Sequence, residues 1–489
     1  MRYTQYGHIM KEEDVCISLY QELFMANVKH SAERIALSSG IEYAIRHVKK
    51  DRHQGILDIL DLVERYMPST KHDQSYTKTG NVFSNLRHFV SDPNSKWVDF
   101  GHSLVTDIDA NVLRTFILNL GYEAGYVGLE KARTLRDRYH TNFPWVILFD
   151  PTSACNMHCI GCWSAEYGPK HRLSFEQMDK IIIQGKELGI HFYMMTGGEP
   201  LLCKDEVLSL CKKHKDCMFG AFTNGTLVDE AFCKAMKGVK NLILYVSVEG
   251  FEEANDARRG SGSFKKVMEA MDLLQAHRLL YGNSICYTSK NYQMVVSDEF
   301  LDLLEKKGSK FSWYFHYMPV GNDASVDLLL KPEQRRYMYH RIREIRKNDN
   351  PHKLFPLDFQ NDGEFVGGCI AAGKNYLHIN ANGDVEPCVF IHYSMANIKK
   401  VSLLEALKQP LFSVYHDLQA FNENMLRPCP MLENPDYLMK MIHATEAKST
   451  DLASFESVEH LCGKCKEYAN AWAPVADELW SESQREKNR

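Results

Sequence analysis

The sequence lacks three features that would place it in large classes of protein. No apolar run reaches ~18 residues, the length that a membrane-spanning helix needs, so no spanning helix is predicted. Acidic residues outnumber basic ones, 63 against 58, and a net charge of −5 gives no overall attraction to nucleic acid. The first residues, Met1 to Val15, are polar and charged, unlike a secretory signal. These absences favour a cytoplasmic protein without a nucleic-acid partner.

Cysteine is present, but not in the pattern of a disulfide scaffold. Fourteen cysteines in 489 residues are too few for a secreted chain held together by disulfides. Several of them stand at the spacings of metal ligands, which favours metal binding in a reducing compartment. We therefore read the clustered cysteines as ligands. Cys16, Cys203, Cys211, Cys217, Cys233 and Cys286 are read as ordinary small apolar residues.

Three cysteines lie within eight residues, in the stretch Cys155-Asn-Met-His-Cys159-Ile-Gly-Cys162. Thiolates are the soft ligands of iron–sulfur clusters, and a complete cubane takes four of them. Three local thiols without a close fourth predict a cluster with one open iron, the arrangement of a catalytic rather than a structural centre. The alternative is a zinc site, although zinc more often uses paired C-x2-C knuckles.

Residues 144 to about 350 alternate predicted strand and helix six times, which indicates a parallel sheet with right-handed crossovers. In parallel barrels the chemistry lies at the carboxyl ends of the strands. Each candidate motif follows a strand directly: the cysteine motif, Gly197–Pro200, Asn224-Gly225 and Glu249-Gly250. The predicted strands are 145–149, 191–196, 218–223, 242–248, 284–288 and 311–317.

The spacing C-x3-C-x2-C at the end of a strand resembles the signature of the radical S-adenosylmethionine (SAM) enzymes. This resemblance implies a 4Fe-4S cluster on Cys155, Cys159 and Cys162, with the amino and carboxylate groups of SAM on the open iron. One electron from the cluster then breaks the S–C5′ bond, and the resulting deoxyadenosyl radical abstracts a hydrogen atom from substrate. The resemblance also implies a partial (β/α)6 barrel. An exposed cluster is oxygen-labile, so we expect an anaerobic setting.

The same resemblance assigns further residues to SAM. Gly197-Gly198-Glu199-Pro200 is similar to the family's GGEP motif, whose backbone and carboxylate receive the SAM amino group. Arg259 would neutralise the SAM carboxylate, with a solvent-exposed helix charge as the alternative. The strand ends that would contact the methionine moiety or the ribose carry Thr223, Asn224, Ser247 and Glu249.

One position departs from the family pattern. The family often has an aromatic residue just before the third cysteine, where it packs near the adenine. This chain has Gly161 there, and the nearest aromatic residue is Trp163. The adenine contact from this loop is therefore left open.

The sixth predicted strand is strongly aromatic, and its alternation makes two faces. One face carries Phe311, Trp313, Phe315 and Tyr317, and the other carries Ser312, Tyr314, His316 and Met318. We predict that Tyr314 and His316, the polar pair near the open end, contact substrate.

The last part of the chain carries a second cysteine pattern. Cys369 and Cys388 flank a predicted hairpin around Asn382-Gly383, and Cys429, Cys462 and Cys465 follow. This pattern resembles the SPASM and twitch extensions of radical SAM enzymes, which bind auxiliary 4Fe-4S clusters. The resemblance implies a second cluster on Cys369, Cys388, Cys429 and Cys465, with Cys462 as the alternate ligand. A zinc site and a redox-active C-x-x-C remain the alternatives.

These patterns predict three domains: a helical module at 1–140, the barrel core at 141–350 and a small α+β cluster-binding domain at 351–489. The helical module has one apolar face beside a basic cluster. That pairing predicts either ordinary packing on the barrel or a peripheral contact with an anionic membrane. The apolar face consists of Val112, Leu113, Phe116, Ile117 and Leu120, and the basic cluster of Lys131, Arg133, Arg136, Arg138 and His140.

The predicted function is a radical SAM enzyme that abstracts hydrogen from an unactivated C–H bond of a small molecule or lipid. Two alternatives remain, a peptide- or protein-modifying maturase and a non-enzymatic iron–sulfur or zinc protein for electron transfer. Flavodoxin or ferredoxin is the expected electron donor.

Overall fold

The computed structural model describes residues 12–66, 82–164, 171–452 and 454–487. Most of the polar stretch from Met1 to Val15 lies outside these ranges. None of the described helices is both long enough and apolar enough to cross a bilayer.

The amino-terminal part is helical. Its α-helices are α1 Glu12–Val48, α2 Arg52–Tyr66, α3 Val82–Phe89, α4 Lys96–Asp107, α5 Ala110–Phe116 and α6 Leu129–Tyr139. A π-helical segment, Ile117–Gly128, joins the last two. Inside it, the buried Glu123 pairs with Arg34 and His30 of α1.

The apolar face of this module is internal. Val112 and Leu113 are buried, and Phe116, Ile117 and Leu120 are partly buried against the same core. The neighbouring arginines have protein partners: Arg133 pairs with Glu130 at 2.5 Å, and Arg136 donates to the carbonyl oxygen of Phe143. Because the apolar face packs inside the protein, it is not available to a membrane. We therefore do not propose the membrane contact.

The central part alternates strands and helices. The strands of the barrel are β1 Val146–Phe149, β2 Phe192–Met195, β3 Met218–Thr223, β4 Leu242–Ser247, β5 Tyr281–Tyr287, β6 Phe311–His316 and β7 Phe355–Asp358. The helices between them are α7 Phe175–Glu187, α8 Lys204–Lys213, α9 Glu230–Val239, α10 Glu252–Arg259, α11 Ser263–Ala276, α12 Asp298–Lys306 and α13 Pro332–Arg346. Ser174 and Gln177 form a capping box at the start of α7.

The carboxyl-terminal part contributes to the same sheet. Its strands are β8 Tyr376–Ile379, β9 Val385–Glu386, β10 Tyr393–Ser394 and β11 Lys448–Ser449. Its helices are α14 Gly363–Val366, α15 Leu403–Leu407, α16 Pro410–Leu418, α17 Pro435–Thr445 and α18 Val458–Lys487.

The main sheet has nine strands in the order β7-β6-β5-β4-β3-β2-β1-β8-β9. All neighbouring pairs are parallel except β8 and β9, which form the predicted hairpin. The sheet therefore crosses the domain boundary predicted near residue 350, because β7, β8 and β9 all lie beyond it. Phe359 after β7 lies 6.4 Å from Tyr376 of β8, ring centroid to ring centroid, so the sheet curls into a partial barrel.

Strand register separates the two faces of the sheet. The register places Tyr245 beside Gly282, Ser284 beside Trp313, and Cys286 beside Phe315. These residues and Phe311 all lie on the same face of the sheet. In β6 the residues of this face are partly exposed, while Ser312, Tyr314 and His316 on the other face are buried. The buried face packs on the helical layer, because the Tyr314 hydroxyl donates to Val295 and His316 contacts Tyr468 of α18. The partly exposed face therefore lines the barrel.

Candidate iron–sulfur and SAM site

The cysteine loop follows β1, and the ends of the next strands hold it in place. The amide of Gly198 donates to Thr152 O at 3.1 Å, and the amide of Glu199 donates to Ala154 O at 2.8 Å. A Cβ on Gly198 would lie 2.0 Å from Ala154 O, so only glycine permits this close approach of the two loops. The Gly-Gly pair after β2 thus supports the loop that carries Cys155, Cys159 and Cys162.

The loops after β3 and β4 reach the same cysteine loop. Asn224 Nδ2 donates to Asn156 Oδ1 at 2.8 Å, and the amide of Ile160 donates to the carbonyl oxygen of Arg258 at 2.9 Å. The motifs that sequence spacing placed at four strand ends therefore meet around one loop.

The three thiols lie within electrostatic reach of one another. Burial raises the pKa of Cys155 to about 11, and Glu199, Cys162 and Cys159 add to that effect. Burial also raises the pKa of Cys159, which the guanidinium groups of Arg259 and Arg258 oppose. These two arginines place positive charge beside the thiol group.

Glu199 is buried and accepts three hydrogen bonds. They come from Thr223 Oγ1 at 2.7 Å, the amide of Asn224 at 2.8 Å and the amide of Leu201 at 3.0 Å. Burial raises the pKa of Glu199, and the bonds from Asn224 and Thr223 oppose that rise. Since an ionised carboxylate offers about four acceptor positions, one remains for a ligand. Pro200 begins the short 3₁₀ helix that Glu199 caps.

Glu249 is the second buried carboxylate of the site. Its Oε1 accepts from Arg258 Nη1 at 2.7 Å and from Arg259 Nη2 at 2.6 Å. Within the described residues, Glu249 Oε2 and Arg258 Nε are buried without a hydrogen-bond partner. Arg259 is therefore held in the site by Glu249 and is not a solvent-exposed helix charge. Ser247 ends β4 on the face that lines the barrel, in register with Ser284.

The second cysteine group lies in the carboxyl-terminal part. Tyr376 of β8 donates its hydroxyl to Cys388 Sγ at 2.8 Å, and the amide of Cys429 donates to Glu433 at 2.6 Å. Cys462 and Cys465 are buried one turn apart on α18. Cys369 and Cys388 lie near Cys429, because their thiols add to the rise in its pKa.

Tyr415 of α16 lies near this group. It is buried, and its hydroxyl has no hydrogen-bond partner in the part of the chain that the structure describes. Burial raises the pKa of Tyr415, and the neighbouring thiols of Cys369, Cys388, Cys429 and Cys462 add to that rise. A buried donor near four thiols suits a cluster whose sulfur atoms accept hydrogen bonds.

A single zinc ion needs its ligands close together, because Zn–S bonds of about 2.3 Å place the sulfur atoms of a tetrahedral site about 3.8 Å apart. Among the described residues, neither cysteine group contains three ligand atoms that all lie within 4.8 Å of one another.

A different trio does meet that 4.8 Å limit: His191, Asp216 and Cys217. It lies at the opposite, amino-terminal end of strands β2 and β3, and Lys186 already neutralises Asp216 at 2.6 Å. It plays no part in the site.

Tyr314 and His316 do not lie in the barrel. Both are almost fully buried on the face toward the helices, where the Tyr314 hydroxyl donates to Val295 O and His316 Nε2 contacts the Tyr468 hydroxyl. The role predicted for them needs access to a ligand, which neither has. We propose instead that Trp313 and Phe315, on the inner face of the barrel, contact the substrate.

Sequence reasoning did not identify a buried histidine beside the site. His378 of β8 contacts Asp150 Oδ1 at 3.0 Å and Glu386 Oε2 at 2.6 Å. Burial opposes its charge, but the two carboxylates raise the pKa of His378 to about 10. Trp163, directly after Cys162, packs edge-on to this imidazole, with ring centroids 5.9 Å apart. The contact joins the cysteine loop to the carboxyl-terminal part, and no local sequence signal pairs residues so far apart in the chain.

Two family models match the chain. The model of the radical SAM superfamily matches residues 149–323, and that of SPASM, an iron–sulfur cluster-binding domain, matches residues 369–431. The chain therefore contains a radical SAM domain. This radical SAM enzyme also carries a SPASM domain, and its cofactors are SAM and 4Fe-4S clusters, auxiliary clusters included.

Named relatives of this radical SAM enzyme differ in what they make. It is 24% identical over 230 residues to the Fe-coproporphyrin III synthase of Methanosarcina barkeri, a match that spans 45% of this chain and 57% of that protein. It is 21% identical over 369 residues to the AdoMet-dependent heme synthase of the same organism, spanning 70% and 96%. The mycofactocin maturase MftC of Mycolicibacterium smegmatis is 27% identical over 262 residues, spanning 50% and 64%.

A solved structure shows the same fold. SuiB from Streptococcus suis, bound to S-adenosylmethionine, superposes with a TM-score of 0.52 at 17% identity and covers 68% of this chain and 87% of its own. At this identity the likeness concerns the fold alone.

Proposed function

We propose that this radical SAM enzyme cleaves SAM reductively at the Cys155–Cys162 loop and abstracts a hydrogen atom from a C–H bond of a substrate in the barrel. One observation carries this proposal: four strand-end motifs meet around the loop and leave buried, unpartnered polar atoms there. Such atoms are rare unless a ligand or water satisfies them.

Each group of residues in the site has a separate role in this proposal. Cys155, Cys159 and Cys162 hold the cluster, which supplies the electron for S–C5′ cleavage when it is bound. Glu199 accepts from the SAM ammonium group with its remaining acceptor position. Glu249 holds Arg259 in place to neutralise the SAM carboxylate, and its free oxygen Oε2 accepts from the ribose. Flavodoxin or ferredoxin is the proposed electron donor.

The auxiliary cluster is proposed on Cys369, Cys388, Cys429 and a cysteine of α18. Sequence spacing favoured Cys465 as the fourth ligand. Cys462 remains the alternate, because its thiol contributes with those of Cys369, Cys388 and Cys429 to the raised pKa of Tyr415, while Cys465 lies near Glu433, whose carboxylate accepts from the amide of Cys429. A paired cysteine experiment decides between them.

The proposed substrate is a small molecule with a large apolar or aromatic part. The barrel is lined by Phe222, Tyr245, Trp313 and Phe315, whose ring centroids lie 4.7 to 5.9 Å from their neighbours. An apolar lining of this kind orients a ligand through a few polar groups at its rim. The names of two relatives, an Fe-coproporphyrin III synthase and a heme synthase, support this class of substrate.

A peptide substrate is the second candidate. The maturase MftC is among the relatives, and a SuiB structure contains its precursor peptide SuiA. A peptide would place one side chain among the same aromatic rings, so the lining alone does not decide the class.

The test is anaerobic SAM cleavage by the reconstituted enzyme with dithionite, with 5′-deoxyadenosine measured by mass spectrometry. We expect iron-coproporphyrin III to raise the rate of deoxyadenosine release, and a SuiA-type precursor peptide to leave it unchanged. Stimulation by the peptide alone would replace the small-molecule proposal with the maturase. Failure of the enzyme to release deoxyadenosine under every condition would contradict both.

Replacing Glu199 with alanine should weaken SAM binding by roughly ten- to a hundredfold, because hydrogen bonds to charged groups contribute ~1.5–3 kcal/mol. Calorimetry measures the affinity. Glu206→Ala is the matched control, since Glu206 is a nearby surface carboxylate that pairs with Arg172. If the two variants bind SAM equally well, Glu199 does not contact the cofactor.

A further inference from the structure

One group of metal-ligating side chains lies away from the SAM site. His191 directly precedes β2, and Asp216 and Cys217 directly precede β3. Among the described residues, one ligand atom from each of these three side chains lies within 4.8 Å of the other two. The two strands begin in register, and the amide of Met218 donates to His191 O at 2.8 Å. The three side chains therefore meet at the amino-terminal ends of two paired strands.

His191 brings an unsatisfied ligand atom to this group. Its Nδ1 atom is buried and has no hydrogen-bond partner in the part of the chain that the structure describes. The carboxylate oxygen Asp216 Oδ2 is 3.7 Å away, beyond hydrogen-bond distance. Burial lowers the pKa of His191, and Glu123 and Asp216 oppose that change. The imidazole is therefore neutral at neutral pH, and this is the form that binds metal ions.

Two buried asparagines hold the segment that presents Asp216 and Cys217. Asn119 of the π-helical segment donates to Lys215 O at 2.9 Å and to Cys217 O at 2.8 Å. Asn241, directly before β4, donates to the same Cys217 oxygen at 3.1 Å. These bonds fix the segment before any ligand arrives, which lowers the entropy cost of binding an ion.

The charges around the group suit a divalent cation. Lys186 Nζ lies 2.6 Å from Asp216 Oδ2, so the carboxylate already attracts one cation. The two side chains are 31% and 37% exposed, so a metal ion can reach the carboxylate and the ammonium group can move into solvent. Cys217 is fully buried, and burial raises the pKa of its thiol, to which Asp216 adds. A coordinated metal ion removes the proton from such a thiol.

We propose that His191, Asp216 and Cys217 bind one zinc ion, with water at the fourth position. Imidazole, carboxylate and thiolate are the three ligand types that zinc takes in proteins. Bonds of about 2.0 to 2.3 Å place the ligand atoms of a tetrahedral site about 3.3 to 3.8 Å apart, so the three side chains need only a small inward movement. The ion fastens the start of β2 to the start of β3, at the opposite end of the barrel from the SAM site.

The zinc content of the holoenzyme tests this site, after both cysteine groups have been filled with iron and sulfide. The protein is dialysed anaerobically against a series of zinc concentrations, and zinc and iron are then counted by mass spectrometry. Wild type should bind roughly one zinc per chain in addition to its iron. His191→Ala and Cys217→Ala should each lower the zinc affinity at least about a hundredfold, because even a group that only hydrogen-bonds to a metal ligand contributes about ten- to a hundredfold. Cys233→Ala removes another buried thiol, on α9, and should bind zinc as wild type does.

A wild-type holoenzyme that binds no zinc would overturn the inference. Zinc bound equally well by wild type and by both ligand variants would also overturn it, since the ion would then lie elsewhere on the protein. Iron content should stay the same throughout; its loss in both variants would indicate a general disturbance of the fold and would contradict a local zinc site. If Cys217→Ala does not fold, His191→Ala decides, because the His191 side chain is partly exposed.

Discussion

We expect that the simultaneous replacement of Cys155, Cys159 and Cys162 by alanine abolishes deoxyadenosine formation. The loop is the only proposed holder of the cluster that supplies the cleaving electron. Because enzymic accelerations are typically ~10⁶-fold or more, the rate should fall by at least about three orders of magnitude, to the dithionite background. Mass spectrometry of anaerobic reactions measures the product directly.

The fold should survive this change. The thiols lie on a partly exposed loop at the end of the barrel, and no described disulfide depends on them. A matched control replaces Cys211 and Cys233, which are buried on α8 and α9, and should retain wild-type SAM cleavage. If the folded triple variant still produces deoxyadenosine at the wild-type rate, the assignment of these three ligands is wrong.

Iron content should divide between the two cysteine groups. Reconstituted wild type should carry roughly eight irons, and the loop triple variant roughly four, because each cubane holds four irons. A variant lacking Cys369, Cys388 and Cys429 should also retain roughly four irons, now in the catalytic loop. Iron analysis by mass spectrometry and the iron–sulfur absorbance give the counts.

Single substitutions of the two cysteines on α18 identify the fourth ligand of the auxiliary cluster. Loss of the auxiliary iron in Cys462→Ala and its retention in Cys465→Ala would identify Cys462 as the fourth ligand. The reverse result would restore the ligand set that spacing alone favours. A loop triple variant with zinc in place of iron would contradict the auxiliary cluster.

Sequence spacing could predict that the motifs of the candidate site meet, because each motif is local. Each motif directly follows a strand, and parallel strands bring their carboxyl ends together, so the meeting of Cys155, Glu199, Asn224 and Glu249 could be expected. The C-x3-C-x2-C motif needed no tertiary information. What could be predicted was therefore the neighbourhood of each residue and not its individual contacts.

The faces of β6 could not be assigned from alternation. A period of two separates Trp313 and Phe315 from Tyr314 and His316 but does not say which pair points inward. That choice depends on the register with β5 and on the helices outside, where Val295 and Tyr468 receive the buried pair. Polarity alone favoured the wrong face, since the helical layer supplies partners for polar groups.

Two strand boundaries show how packing overrides local signals. The predicted fifth strand begins at 284, whereas β5 begins at Tyr281 and includes Gly282. In the structure a Cβ there would lie 2.3 Å from Phe311 Cε2, so glycine makes room for an aromatic ring of the next strand. Strand β7 is not among the six predicted strands, and it contains Pro356. Proline is tolerated there since β7 is the edge of the sheet.

The interior of the amino-terminal helices was also unpredictable. Helix periodicity predicts two segments around 110–120 and 129–139, but not the π-helical turn that joins them. Glu123 and Asn119 of that turn bond to Arg34, and Asn119 also bonds to Cys217 O, so distant contacts favour the wider turn. Likewise, Tyr317 packs against Gly161, and no local sequence pattern predicts this contact between distant residues.

The central claim is that SAM binds to the cluster of the Cys155–Cys162 loop, beside Glu249 and Arg259. Electron paramagnetic resonance of the dithionite-reduced enzyme, with and without SAM, tests it most directly. Our account predicts two reduced 4Fe-4S signals in wild type, one of which changes when SAM is added. That signal should be missing from the loop triple variant, and the remaining one should not respond to SAM. A wild-type spectrum that SAM leaves unchanged, or a response that persists in the triple variant, would contradict the account.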